Sequence, residues 1–250
     1  MNTSLSTLAA SALLLALAGP LHAQQAQPDH VTSFNAALTS DYRYRGISQT
    51  RLRPALEAGA NITHNPSGLY AGAWASTISW TRDAGGGGNV ELDLYGGRRG
   101  TLGALAWDAG VLAYVYPANG LQRVPGFANA NTAELYAQLG YGPVYAKYSL
   151  ALTNLFGFVD SHRSGYLDLG ANLGLGRGLT LNLHAGRQQV RRHAAARYTD
   201  YKLGLTSDLG LASLSLALVG TDANEAAYAS PANGKFLGRR ALVGSLAKTF

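Results

Sequence analysis

Asp41, Arg43 and Arg45 stand two apart in the stretch SDYRYRGISQT at 40–50, so on an extended chain all three side chains leave on the same side. An acid and two bases so placed can form a charged constriction that selects solutes. They can also tie into a structural salt-bridge network, with Gly46 permitting a turn, and that is the favoured reading. The same two-residue period sets Glu91 and Asp93 against Leu92 and Leu94 in VELDLY, and Asp168 and Asn172 against leucines in YLDLGANL. In LTLNLHAG, Thr180, Asn182 and His184 alternate with leucines and Ala185. Continued along the chain, the polar phase collects Glu57, Asp108, Glu134 and Asp200 as further acids, with Lys147 and Lys202 as bases. Together these residues are the candidates for lining a wet interior. Acids in excess there would favour cations.

Other chemistries find less support. Hydrolysis needs a Ser or His pair held within hydrogen-bond reach. His64 and His184 are assigned to strands, both on the polar inward phase, and no GxSxG motif accompanies them. A lipid-modifying enzyme would want such groups on the outer face, so catalysis is not expected. The 6 histidines show no close ligand spacing and there is no cysteine, which leaves metal and cofactor sites unsupported. AGGGGN at 84–89 has no following helix and no P-loop Lys-Ser/Thr, and GLGRG at 174–178 lies between two strands, so neither reads as a phosphate cradle. RQQVRRHAAAR at 187–197 is either a solvated loop or a surface for lipopolysaccharide phosphates, which arginine can grip bidentately.

The chain that carries these side chains has 47% hydrophobic residues and only 14% charged ones, against roughly 25% charged in an ordinary soluble chain. Too few groups are available to face water on all sides. The net charge of +6 is scattered or sits in loops, so lipid phosphates suit it and nucleic acid is not the expected partner. Alternation predicts strands near 32–44, 54–63, 69–79, 90–98, 104–116, 132–141, 144–154, 165–174, 179–188, 198–208, 211–220 and 239–250. Most have the roughly 9–11 residues that a tilted strand needs to cross hydrocarbon. Short turns such as NPSG at 65–68 alternate with longer loops, so short and long connections segregate to opposite rims. The fold class is therefore all-β, a transmembrane antiparallel up-and-down barrel of about twelve strands with short periplasmic turns and longer extracellular loops. Tyr42, Tyr44, Trp80, Tyr114, Tyr116, Tyr166 and Tyr198 near the long loops, with Tyr141 and Tyr145 near a short turn, are candidates for interfacial girdles.

The apolar run at 8–18, then Gly19-Pro20 and Leu21-His22-Ala23, reads as a secretory signal cleaved after Ala23, with only the terminal amine for its positive end. A short segment at 24–31 and a barrel over 32–250 follow. The last strand ends on Phe250, a residue type recognised by the barrel-assembly machinery, with Lys248 where a hydrophobic residue often stands.

SDYRYRGISQT, followed by GLYAGAWAS at 68, ELDLYGG at 91, AELYAQLGYG at 133, YLDLGANL at 166, YTDYKLGLT at 198 and the closing KTF, resembles the TorF family, conserved hypothetical proteins given a porin role. The resemblance implies an outer-membrane barrel with channel activity, and twelve strands, between filled eight-stranded barrels and wide porins, make the expected lumen for small polar solutes or ions narrow or plugged by paired side chains. A closed structural or adhesive barrel is the first alternative, and an outer-membrane lipid-modifying enzyme the second.

Overall fold

The computed structural model describes residues 28–250, so the export signal expected at 1–23 lies outside the described residues. Strand β1 (His30–Thr39) is followed by a small hairpin of β2 (Arg43–Tyr44) and β3 (Ile47–Ser48). Then come β4 (Ala55–His64), β5 (Leu69–Thr77), β6 (Val90–Leu102), β7 (Leu105–Val115), β8 (Thr132–Tyr141) and β9 (Val144–Ala151). The chain finishes with β10 (Gly165–Gly176), β11 (Leu179–Gln189), β12 (Tyr198–Asp208), β13 (Ser213–Thr221) and β14 (Ala241–Thr249). All but β2 and β3 form one closed antiparallel barrel in sequence order, sealed where Asn35 pairs with Thr249 and Thr39 with Ser245. The twelve strands that alternation predicts are thus present, with ends displaced by a few residues.

Alternation divides the wall into two faces. Phe34, Leu56, Leu94, Leu135, Leu169, Leu203, Leu216 and Leu242 are exposed on the outward phase and form an apolar band around the barrel. A continuous band of this kind is unfavourable in water but suited to hydrocarbon, where closure also leaves no unpaired sheet edge. On the inward phase, tyrosines lie flat over glycines of neighbouring strands: Tyr95 over Gly72, Tyr136 over Gly110 and Tyr145 over Gly170. A Cβ at Gly110 would stand 2.6 Å from the Tyr136 hydroxyl and 2.5 Å from the Gly96 carbonyl. Gly110→Leu is therefore expected to destabilise the barrel by about 1–3 kcal/mol through overpacking. A lower urea midpoint for the heat-modifiable gel band would show it.

Three expectations need correction. First, β1 ends at Thr39 rather than 44: the Ser40 amide still bonds to the Gly244 carbonyl at 2.8 Å, and the chain then turns inward. Asp41, Arg43 and Arg45 accordingly do not share a barrel-strand phase. Second, Tyr42, Tyr114, Tyr116, Tyr166 and Tyr198 are buried inside the mouth, packed among loops and hairpin, and do not form an outer girdle. Tyr141 and Tyr148 are exposed on the outer face, while Tyr145 points inward. Third, His64 has the outward phase of Leu56 and Ile62; its ring lies 4.7 Å from that of His30, at the short-turn rim.

Candidate functional site

The 43–48 hairpin crosses the mouth of the barrel at the long-loop end. Its turn is Arg45-Gly46 with φ of 47° and 78°, the double left-handed geometry of a type I′ turn, which a Gly in the second position accommodates. Gly46 also has no room for a side chain, since a Cβ would meet Asp200 Cβ at 2.7 Å and Thr221 Cγ2 at 2.5 Å. The tip therefore presses against β12 and β13.

Asp41 organises the base of the hairpin. Its Oδ2 accepts from Arg43 Nε at 2.6 Å, and its Oδ1 accepts from Ser48 Oγ at 2.5 Å and Thr50 Oγ1 at 3.2 Å. Arg43 Nη1 donates to the Gly46 and Arg239 carbonyls at 3.0 and 2.8 Å, which ties the hairpin to the chain entering β14. Asp41 and Arg43 thus pair with each other in a structural network at the base of the hairpin, while Arg43 Nη2 is buried without a hydrogen-bond partner. Arg51 pairs with Asp83 of the short helix α1 (Trp80–Asp83) and braces the outgoing chain.

Arg45 instead reaches across the lumen. Its Nη2 donates to Glu134 Oε2 at 2.7 Å and its Nη1 to Gln188 Oε1 at 2.8 Å, while the guanidinium lies 4.2 Å from the Tyr166 ring centre. Burial works against this charge, but Glu134 more than offsets it, so the Arg45 pKa is held above even the ordinary arginine value. Two strands from Glu134, on β6, Glu91 Oε1 accepts from the Tyr42 hydroxyl at 2.9 Å. Burial, with Glu91 and Asp93 close by, pushes the Tyr42 hydroxyl well above the ordinary tyrosine range and keeps it a donor. Tyr44 meets the Tyr114 hydroxyl, and Phe156 from the loop after β9 packs edge-on to both rings. A 190 Å³ cavity lies over the hairpin, walled largely by aromatic side chains such as Trp80, Tyr116, Phe158 and Tyr228.

The wall that meets the hairpin is asymmetric in charge. Glu57, Glu91 and Asp93 project inward from β4 and β6, and Glu91 Oε2 and Asp93 Oδ1 are buried without a hydrogen-bond partner. Asp108 accepts from Tyr70 at 2.6 Å. Lys147 lies 4.1 Å from the Tyr136 ring centre. Across the lumen, His184 Nδ1 is 2.8 Å from Asp168 and its Nε2 2.6 Å from Asp200, with the Tyr166 hydroxyl donating to Asp200 at 2.9 Å. Lys202 is beside His184 in register and open to the lumen. The structure thus brings Arg45 to Glu134 and His184 to Asp168 and Asp200, but leaves Asp41 and Arg43 apart from both groups.

A model of bacterial proteins of unknown function, Gcw_chp, matches residues 23–250. The chain belongs to the Gcw_chp family. No curated protein matches it. Among solved structures, the KdgM porin superposes with a TM-score of 0.53 at 4% identity, over 88% of this chain and 98% of that one. At such identity the likeness concerns the fold alone. The COG4313 outer membrane channel from Pseudomonas putida F1 gives 0.49 at 13% identity over 90% and 97% of the two chains. LpxR from Salmonella typhimurium gives 0.44 at 13% over 87% and 99%. The Gcw_chp fold is therefore that of an outer-membrane-type barrel, and its function has to be argued from the hairpin and the wall around it.

Proposed function

We propose that the chain is a porin of the bacterial outer membrane, whose 43–48 hairpin narrows the mouth and whose lumen passes small polar solutes or ions. The observation that carries this reading is the hairpin itself: a charged segment folded inward, with Tyr42 at its base bonded to β6, Arg45 to β8 and Gly46 pressed against β12 across the barrel, directly above a polar lumen. The likeness to the KdgM porin and the resemblance to TorF-family barrels support the same role. The apolar band supports residence in lipid, and the exposed Phe250 ring at the short-turn rim suits reading by the assembly machinery. The reading assigns the lumen residues to permeation and none to catalysis or metal binding. Cations are favoured over anions, because Glu57, Glu91 and Asp93 face the lumen without a basic partner among the described residues, whereas Arg45 is matched by Glu134.

Planar-bilayer recording of the refolded protein tests this. Discrete conductance steps are expected in the wild type, with a reversal potential on the cation-selective side. Glu91→Gln combined with Asp93→Asn moves that potential toward zero. Absence of current under every condition would overturn the channel and leave a closed structural or adhesive barrel. Release of fatty acid from lipid by the same preparation would instead favour an enzyme.

A further inference from the structure

The outward phases of β11–β14 change character together at the long-loop rim. On β11 Leu181, Leu183 and Ala185 give way to Arg187; on β12 Leu205 and Leu203 give way to Tyr201; on β14 Leu246 and Leu242 are succeeded by Arg240, just before the strand begins. On β13 the phase of Leu214, Leu216 and Leu218 ends at Gly220, which pairs with Tyr201. This glycine makes a recess: a Cβ there would stand 2.6 Å from the Tyr201 hydroxyl and 2.9 Å from Arg240 Cγ. Arg240 Nε donates to the Tyr201 hydroxyl at 2.7 Å, so its head is aimed along the wall while its stem covers the recess. Arg187 pairs in register with Thr199, two residues from Tyr201 on the same phase, and donates to the Thr199 hydroxyl at 2.9 Å.

We propose that this outer-wall strip, Arg187–Thr199–Tyr201–Arg240, docks the phosphate of an anionic lipid of the outer leaflet. The leucines immediately below fix the height, since they mark where hydrocarbon ends, and arginines directly above an acyl layer meet headgroup phosphate rather than bulk water. Charge complementarity agrees. The loops after β9 and β11 add exposed Arg163, Arg191 and Arg192 at the same rim, and Arg191 Nη1 lies 3.5 Å from His162 Nε2. The acids nearby are exposed: Asp160 pairs with Arg192 at 3.1 Å, Asp222 lies 4.0 Å from Arg187 and accepts from the Thr199 amide at 2.5 Å, and Glu225 stands in the loop before β14, so a lipid phosphate would displace the Asp222 carboxylate from Arg187. Guanidinium groups grip phosphate oxygens bidentately, and the Tyr201 ring supplies the amphipathic belt contact. The site rests on the reading of the barrel as an outer-membrane protein and is independent of whether the lumen conducts.

Native mass spectrometry of the refolded full chain in detergent, with lipid A bearing both phosphates, dephosphorylated lipid A, or inorganic phosphate, provides the test. Retention of the phosphorylated lipid is expected, weakened about tenfold in Arg187→Gln and again in Arg240→Gln, as for loss of one charge-assisted contact each. Arg98→Gln, which changes an outward arginine at the opposite rim, leaves retention unchanged. Heat-modifiable mobility confirms that each variant is folded, and bilayer current recorded on the same samples reports the channel reading separately. Equal retention of the dephosphorylated lipid, binding of inorganic phosphate without preference for the lipid, or full retention by the double variant would each overturn the proposal.

Discussion

Replacing Arg45 by alanine is expected to unseat the hairpin and raise the conductance of the refolded protein in a planar bilayer. The hairpin's own ladder is short, pairing only Arg43 with Ser48 and Tyr44 with Ile47, so its position depends on what the tip touches. Arg45 is the side chain that joins it to β8 through Glu134, to β10 through the Tyr166 ring and to β11 through Gln188. Its side chain is 6% exposed and that of Glu134 2%, so truncation strands a buried carboxylate with the Tyr114 hydroxyl as its remaining donor. Breaking a buried pair on one side costs about 3–5 kcal/mol. Even about 3 kcal/mol shifts the docked-to-undocked ratio by on the order of a hundredfold. Arg45→Lys should give a smaller increase, because an ammonium keeps the charge but cannot span Glu134 and Gln188 as a planar fork does. Gly46→Val probes the same movement without altering charge, since its side chain would overlap Asp200 and Thr221. Conductance unchanged in all three variants would mean that the hairpin does not limit the passage.

The barrel was legible because its signal is summed over the whole chain. Period-two alternation needs no knowledge of partners, and the segregation of short turns from long loops follows directly from an up-and-down closed sheet. The site was legible only where it lies on the wall. Glu91, Glu134, Asp168, His184 and Asp200 face inward on the phase that alternation assigns them, and their pairings across strands follow once register is known. Arg99, an inward base that bonds to Thr63 Oγ1 at 3.0 Å, escaped because β6 continues past 98 to Leu102. The hairpin escaped for a different reason. TSDYRYR alternates as well as any strand, and nothing local reveals that Asp41 will collect Arg43, Ser48 and Thr50 and fold the chain back on itself. Only Gly46 signalled a turn, and that turn does not say whether the segment leans outward or in. The mouth tyrosines were misplaced on the same grounds: an aromatic at a strand end can face lipid or a plugged lumen, and the inward hairpin decides for the lumen.

The His184 site separates removal of one partner from replacement of the whole group. Asp200 is 2% exposed and Asp168 15%, and His184 stands between them with a ring nitrogen toward each. His184→Leu removes both contacts at once and leaves two carboxylates facing an apolar side chain, with Tyr166 as the donor that Asp200 keeps. A loss of roughly 3 kcal/mol is expected, as for a buried ion pair broken on one side. It would be read as a clear fall in the urea midpoint of the folded band. The same variant should strengthen cation preference, because it exposes acids on a wall where they had been matched. Changing Asp168→Asn and Asp200→Asn alongside His184→Leu removes the stranded charge, so most of the stability should return while the selectivity moves the other way. That opposite response is the useful part of the design. A purely packing role for His184 would leave the triple variant as unstable as the single one, and a role confined to the protein interior would leave the reversal potential where it was in both.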